Sequence, residues 1–261
     1  MIRKILSNTF KQGRRNFLKT TAVGSIAAVA IPQIVSAALA TEKNAPKLKF
    51  NTGDVILFQG DSITDWGRDH SKTEPNTTSA LGSGYALITA SKLLLDHASK
   101  DLKIYNKGIS GNKVYQLAER WTSDCLDLKP NILSIHIGVN DFWHTLTGSY
   151  TGTIDTYITD YKKLLTLTKQ TLPDVKLVIC EPFATKGVRA VDDKWYPTFD
   201  LFRKAARDIA AEFGAVFVPY QSAFDKALEV APAPYWSMDG VHPSVPGEAL
   251  MAQTWLKAVV G

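Results

Sequence analysis

The chain has 261 residues, 45% of them hydrophobic, with 17 Gly, 12 Pro and 2 Cys. That composition excludes a disordered, collagen-like or disulfide-stapled protein and is enough for one sizeable core. The formal charge of +5 is concentrated at the front: residues 1–40 carry six basic side chains (Arg3, Lys4, Lys11, Arg14, Arg15 and Lys19) and no acid, leaving 24 basic against 25 acidic side chains elsewhere. A body with a net charge of −1 lacks the basic surface that nucleic-acid binding requires.

Residues 1–40 read as an export signal. The basic stretch Gly13-Arg14-Arg15-Asn16-Phe17-Leu18-Lys19 is followed by an apolar run from Ala22 to Ile34. Small residues then end in Ala38-Leu39-Ala40, an A-x-A cleavage pattern. The arginine pair before Phe17-Leu18-Lys19 resembles a twin-arginine signal. The twin-arginine export machinery is therefore an expected partner, and the periplasm or the exterior the expected location. The apolar run is short for a membrane span of about 20 residues, and no span is expected after processing. Residues 41–52 read as a polar linker and residues 53–261 as the folded domain. Cys125 and Cys180 have no metal or redox spacing and read as buried free thiols, with one disulfide left open.

Beyond residue 52, short apolar runs alternate with amphipathic stretches. Val55–Gln59, Lys103–Asn106, Ile132–Ile137, Lys176–Cys180 and Ala215–Val218 read as buried strands. Ile154, Tyr157, Ile158, Tyr161 and Leu165 share one helical face; Phe199, Phe202, Ala206, Ile209 and Phe213 share another. This alternation predicts an α/β protein, a three-layer α/β/α sandwich around a five-stranded parallel sheet. Function in such folds gathers where the strands' carboxyl ends open into loops.

Four motifs fall at such loops. The first strand runs into Gly60-Asp61-Ser62-Ile63-Thr64-Asp65, where Ser62 is either an exposed nucleophile or a helix N-cap. The second runs into Asn106-Lys107-Gly108-Ile109-Ser110-Gly111-Asn112, a turn in which glycines let backbone N–H groups approach a ligand. The third runs into Gly138-Val139-Asn140-Asp141, where Asn140 aims an amide at an oxyanion or caps a helix. Near the end stands Met238-Asp239-Gly240-Val241-His242-Pro243, which puts a carboxylate within folding reach of an imidazole. His70, His97, His136 and His144 lack such a setting and read as surface or structural. Ser244 and Pro246 open a last helix.

Together these blocks resemble the SGNH (GDSL-type) hydrolase family, over residues 54 to 247. Longer stretches are similar to its bacterial acetylxylan esterases: Gly67-Arg68, Leu81-Gly82-Ser83-Gly84-Tyr85, Arg120-Trp121 and Phe142-Trp143. The resemblance implies a flavodoxin-like hydrolase fold and makes residues 53–261 the catalytic domain. It matches Ser62, Asp239 and His242 to a catalytic triad, and Ser62, Gly111 and Asn140 to an oxyanion hole. It implies a secreted serine esterase acting on O-acyl, chiefly acetyl, esters of a plant-type polysaccharide such as xylan, without metal or organic cofactor. Lysophospholipase or thioesterase activity is the alternative, and a non-catalytic glycan-binding protein a third. Asp61, Trp143, Trp195 and Trp236 are candidate substrate contacts, and Trp66 another loop tryptophan able to stack on a sugar. Relatives of that branch carry a bulky aromatic before the triad aspartate; Met238 stands there instead. The segment from Thr185 to Trp195 is read as part of the rim or as a passive solvated loop. Homo-oligomerisation is left open.

Overall fold

In a computed structural model, which describes residues 31–40 and 47–261, the five apolar runs form five strands. These are β1 (Val55–Gly60), β2 (Lys103–Asn106), β3 (Ile132–His136), β4 (Lys176–Cys180) and β5 (Val216–Val218), each within a residue of its predicted bounds. All neighbouring pairs are parallel, in the order β2-β1-β3-β4-β5. The chain leaves β1 for one side of the sheet and returns to pair on its other side through β3. Loops leaving β1 and β3 therefore diverge and open a crevice at their carboxyl ends.

The helices follow in chain order: α1 (Ile31–Leu39), α2 (Ser62–Asp65), α3 (Tyr85–Asp96), α4 (Val114–Glu119), α5 (Val139–Leu146), α6 (Ile154–Thr171), α7 (Thr198–Glu212), α8 (Tyr220–Leu228) and α9 (Val245–Val259). α9 packs on α3 and α8, while α6 packs on α4 and α7. These two groups form the outer layers of an α/β/α sandwich. The predicted helical faces are the buried ones: Tyr157, Tyr161 and Leu165 on α6, and Phe199, Phe202, Ala206 and Ile209 on α7.

Two buried tryptophans in this core find partners for their indole N–H groups. Trp255 of α9 lies 5.4 Å from Phe58 of β1, and its indole N–H donates to Ser134 Oγ of β3 at 2.9 Å. Trp121 donates to Thr168 Oγ1 of α6, also at 2.9 Å. Cys125 and Cys180 are buried and free, and burial pushes both thiols up to about 12.

The twin-arginine stretch and most of the apolar run lie outside the described residues, as do residues 41–46. Helix α1 buries Ile34, Val35 and Ala38 and lies on α8 and α9. Residues 47–52, read as part of a linker, run along the end of α9. Leu48 donates its N–H to Val259 O at 2.8 Å, Lys47 Nζ donates to Lys257 O and Ala258 O, and Phe50 is buried beside the His97 ring. Among the described residues no helix is long and apolar enough to cross a membrane.

One buried acid ties two helices together. Glu248, in the first turn of α9 and 3% exposed, accepts from the Tyr85 N–H at the start of α3 at 2.6 Å. Its second oxygen has no partner, and burial pushes the carboxyl up to about 8. A carboxyl with a raised folded-state pKa stabilises the fold below its unfolded pKa of ~4.3, and that contribution is lost as pH rises through the folded value. Glu248→Gln, which keeps an acceptor for Tyr85, is therefore expected to raise Tm above pH 8 and to match the wild type below pH 4. Thermal unfolding across that range checks it.

Candidate active site

The site begins at a close approach of two strands. Gly60 ends β1 opposite His136 of β3, and a Cβ there would fall 2.4 Å from His136 O and 2.3 Å from Thr64 Oγ1. Glycine is the residue that fits. Next, Asp61 takes the N-cap position of α2: its carboxylate accepts from Ile63 N–H at 3.1 Å, and its carbonyl accepts from Thr64 and Asp65. The cap role considered for Ser62 thus belongs to Asp61. Ser62 stands at the first helical position, half-buried, with its hydroxyl turned elsewhere.

That hydroxyl meets His242. Ser62 Oγ lies 2.8 Å from His242 Nε2, and His242 Nδ1 lies 2.8 Å from Asp239 Oδ2. The Asp239–His242 loop is built locally. Asp239 Oδ1 accepts from the N–H groups of Val241 and His242, and the loop closes through Met238 N–H to His242 O and a bridge between Ser237 and Pro243. The segment after Thr185 braces it: Thr185 N–H donates to Gly240 O and Ala190 N–H to Asp239 O, both at 2.8 Å. The segment is therefore not the passive solvated loop of one reading, since its backbone is bonded to the Asp239–Gly240 peptide.

The electrostatics separate the two partners. Burial alone would raise the Asp239 carboxyl, but hydrogen bonds from the His242 ring and from the His242 and Val241 amides hold it down to about 2. Burial would lower the His242 imidazole, but the bond to Asp239 and its charge raise it above its usual value. The result is a hydroxyl next to an imidazole that an ionised carboxylate orients, the arrangement of an activated oxygen nucleophile.

The other predicted donors lie beside it. Gly111 sits in the β2 loop at a φ of +81°, a conformation that side-chain-bearing residues rarely adopt. Asn140, 3% exposed at the start of α5, donates one amide hydrogen to Asn112 O at 3.2 Å, which leaves its second hydrogen free to serve a ligand. Asp141 binds the same loop by accepting from Val114 N–H at 3.1 Å.

Three of the four candidate substrate contacts are corrected by burial. Asp61 is fully buried beneath the nucleophile. Trp195 is 1% exposed, packed against Phe142 and Phe199, with its N–H donated to Ala190 O. Trp236 is 3% exposed and donates to Ala231 O. Tryptophans packed so leave no ring face for a sugar. Trp143 stays half-buried, 6.4 Å from the His242 ring, and Trp66 stacks on that ring at 5.6 Å. Tyr115 and Tyr150, which no sequence pattern singles out, form a stacked pair at 5.7 Å with Lys113 Nζ 5.2 Å from the Tyr150 ring. Lys113 directly follows the Asn112 that binds Asn140.

Comparison with known proteins identifies the family. The chain belongs to the GDSL-like lipase/acylhydrolase family, whose model matches residues 58–250. It is 34% identical over 214 residues to an acetylxylan esterase of Geobacillus stearothermophilus, covering 81% of this chain and 96% of that one. The crystal structure of that esterase superposes with a TM-score of 0.72 and 31% identity, again over 81% of this chain and 96% of that one. A Parabacteroides merdae protein described as a GDSL-like lipase superposes with a TM-score of 0.80 and 56% identity, covering 82% of this chain and 98% of that one. The protein is thus a carboxylic ester hydrolase on a five-stranded parallel α/β scaffold.

The contact at Gly60 yields a measurable consequence. Gly60→Ala forces a methyl into the His136 carbonyl and is expected to cost about 1–3 kcal/mol by the usual magnitude of overpacking. Because the displaced backbone carries Ser62, ester turnover should fall beyond what the unfolded fraction explains. Urea unfolding and turnover of the same preparation check both parts.

Proposed function

We infer that this protein is an exported serine esterase that removes O-acetyl groups from a polysaccharide such as xylan through a Ser62 acyl-enzyme. The observation that carries the reading is the relay of two 2.8 Å contacts from Ser62 through His242 to Asp239. His242 takes the Ser62 proton as the hydroxyl attacks the ester carbonyl, and Asp239 stabilises the imidazolium. The oxyanion is held by the N–H groups of Ser62 and Gly111 and by the Asn140 amide. His242 returns its proton to the departing sugar oxygen. It then activates water to release acetate.

The polysaccharide rests on three supports. The relative from Geobacillus stearothermophilus is named an acetylxylan esterase. Partly exposed ring faces flank the site at Trp66 and Trp143, and Tyr115 lies beyond Asn112. The leader pattern at residues 13–19 supports export. Ser62→Ala is expected to lower acetate release from acetylated xylan by ~10³-fold or more. Equal release by the two proteins, or a preference for long acyl chains on nitrophenyl esters, overturns the respective part of this reading.

The pH profile follows from the raised imidazole. A general base acts only when neutral, so kcat/KM should rise with pH through an apparent pKa above the ordinary histidine value of ~6.5. In Asp239→Asn burial acts on His242 without the opposing carboxylate. The limb should then move to lower pH while kcat drops ~10³–10⁴-fold. Steady-state kinetics from pH 5 to 9 measure both effects.

A further inference from the structure

The oxyanion donors named above come from three segments far apart in sequence, each following a different strand, and a misplacement of ~1 Å in such a site can cost 10²-fold in rate. The placement of the Gly111 N–H therefore needs a physical cause. Its peptide unit begins at Ser110. Ser110 gives both of its donors to one acceptor: its N–H reaches Asp65 Oδ2 at 2.9 Å and its hydroxyl reaches the same oxygen at 2.6 Å. Asp65 is the last residue of α2, the single turn that starts at Ser62. One carboxylate thus joins the nucleophile's turn to the loop bearing Gly111.

The surroundings are suited to hold it ionised. Asp65 Oδ1 accepts from His70 Nε2 at 2.7 Å and faces Arg68 Nε at 3.5 Å. The Arg68 side chain is 4% exposed and also donates to Gly108 O from Nε and Nη2, at 3.2 and 2.8 Å. Asn106 adds a neutral tie, donating to Thr64 O at 2.6 Å while accepting from Gly108 N–H at 2.9 Å. A carboxylate this near the site would oppose a developing negative charge if it stood alone. The buried guanidinium beside it offsets that field.

The geometry points to Asp65 as a positioning residue, one that holds the Ser110–Gly111 peptide against the Ser62 turn so that the Gly111 N–H faces the forming oxyanion. The inference rests on the serine-esterase reading above and adds a residue to it. Asp65 touches no reacting atom; it acts through Ser110.

The test compares wild type, Asp65→Ala, Ser110→Ala, the double variant and Asp65→Asn. Four quantities are read: kcat and KM on an acetyl ester, the Kd of an alkyl boronic acid that forms a tetrahedral adduct on the nucleophile, and the downfield proton resonance of the His242–Asp239 bond. Asp65→Ala is expected to lower kcat ~10–100-fold with KM within about twofold, and to weaken the boronate by the same factor. The downfield resonance should stay in place, because the relay is not touched. Ser110→Ala should lose less, since its N–H remains. The double variant should be no worse than Asp65→Ala, and Asp65→Asn, which keeps an acceptor oxygen, should recover part of the loss. If Asp65→Ala does not fold, Ser110→Ala carries the test. A lower Tm with kcat and boronate affinity unchanged, a loss confined to KM, or additive effects of the two alanine variants would overturn the inference. Failure of the wild type to bind the boronate would instead sink the serine-esterase reading beneath it.

Discussion

The proposed chemistry depends on one hydrogen bond, between side chains 180 positions apart in the chain. Its two ends are supported in different ways. The imidazole sits on a short loop that its own neighbours close, from the Asp239 carboxylate to the Ser237–Pro243 bridge. The hydroxyl sits on a turn projected from a central strand. The distance between them is set by neither loop. It is set by the core that holds α9 and α3 against β1, in which Trp255 meets Phe58 and Glu248 caps the Tyr85 amide. Packing at native density makes that spacing stiff, so a change well away from the site reaches it through the backbone.

Acidic side chains around Ser62 are sorted by surroundings rather than by type. Asp239 accepts three hydrogen bonds, which hold its carboxyl down to about 2 and keep it ionised at neutral pH. Asp61 and Asp141 are buried, each with an oxygen that has no partner, and burial raises both to about 7. Asp65 is buried too, yet bonds from Ser110 and His70 outweigh burial and keep it low. The two carboxyls with raised pKa values thus add little negative charge near the oxyanion below neutral pH, while Asp239 keeps the charge that orients the base. Their orphan oxygens reduce stability in return, a cost of the kind that functional sites carry.

Much of this is legible in the amino-acid sequence alone. Strands buried on both faces leave unbroken apolar runs, and five such runs locate the sheet to within a residue. The four motifs point to a site only as a set, because serine, glycine and asparagine each have a structural use of their own at a strand's end. The expectations that fail share a cause. Trp195 and Trp236 lie outside the strands, and a loop position suggests exposure. Trp195 is covered by Phe142 from a helix far away in the chain as well as by the nearby Phe199. Asp61 is a cap rather than a substrate contact because capping depends on where a helix starts, and α2 starts one residue earlier than a cap at Ser62 would require. The Tyr115–Tyr150 stack and the Asp65–Ser110 clamp each join a short helix to a separate loop, and no local period or spacing records such pairs.

By itself, the sequence determined which residue types stand at each strand's end, and so the chemistry available: hydroxyl, amide, carboxylate and imidazole. It also set the Asp239–His242 pairing, since three residues of chain are short enough to close on themselves. Only the tertiary structure decided that Ser62 meets His242, that Gly111 is tied to the Ser62 turn through Asp65, and which tryptophans keep an open face. Local contacts follow from covalent reach. Distant ones follow from how the whole core packs, which is a property of all its side chains at once.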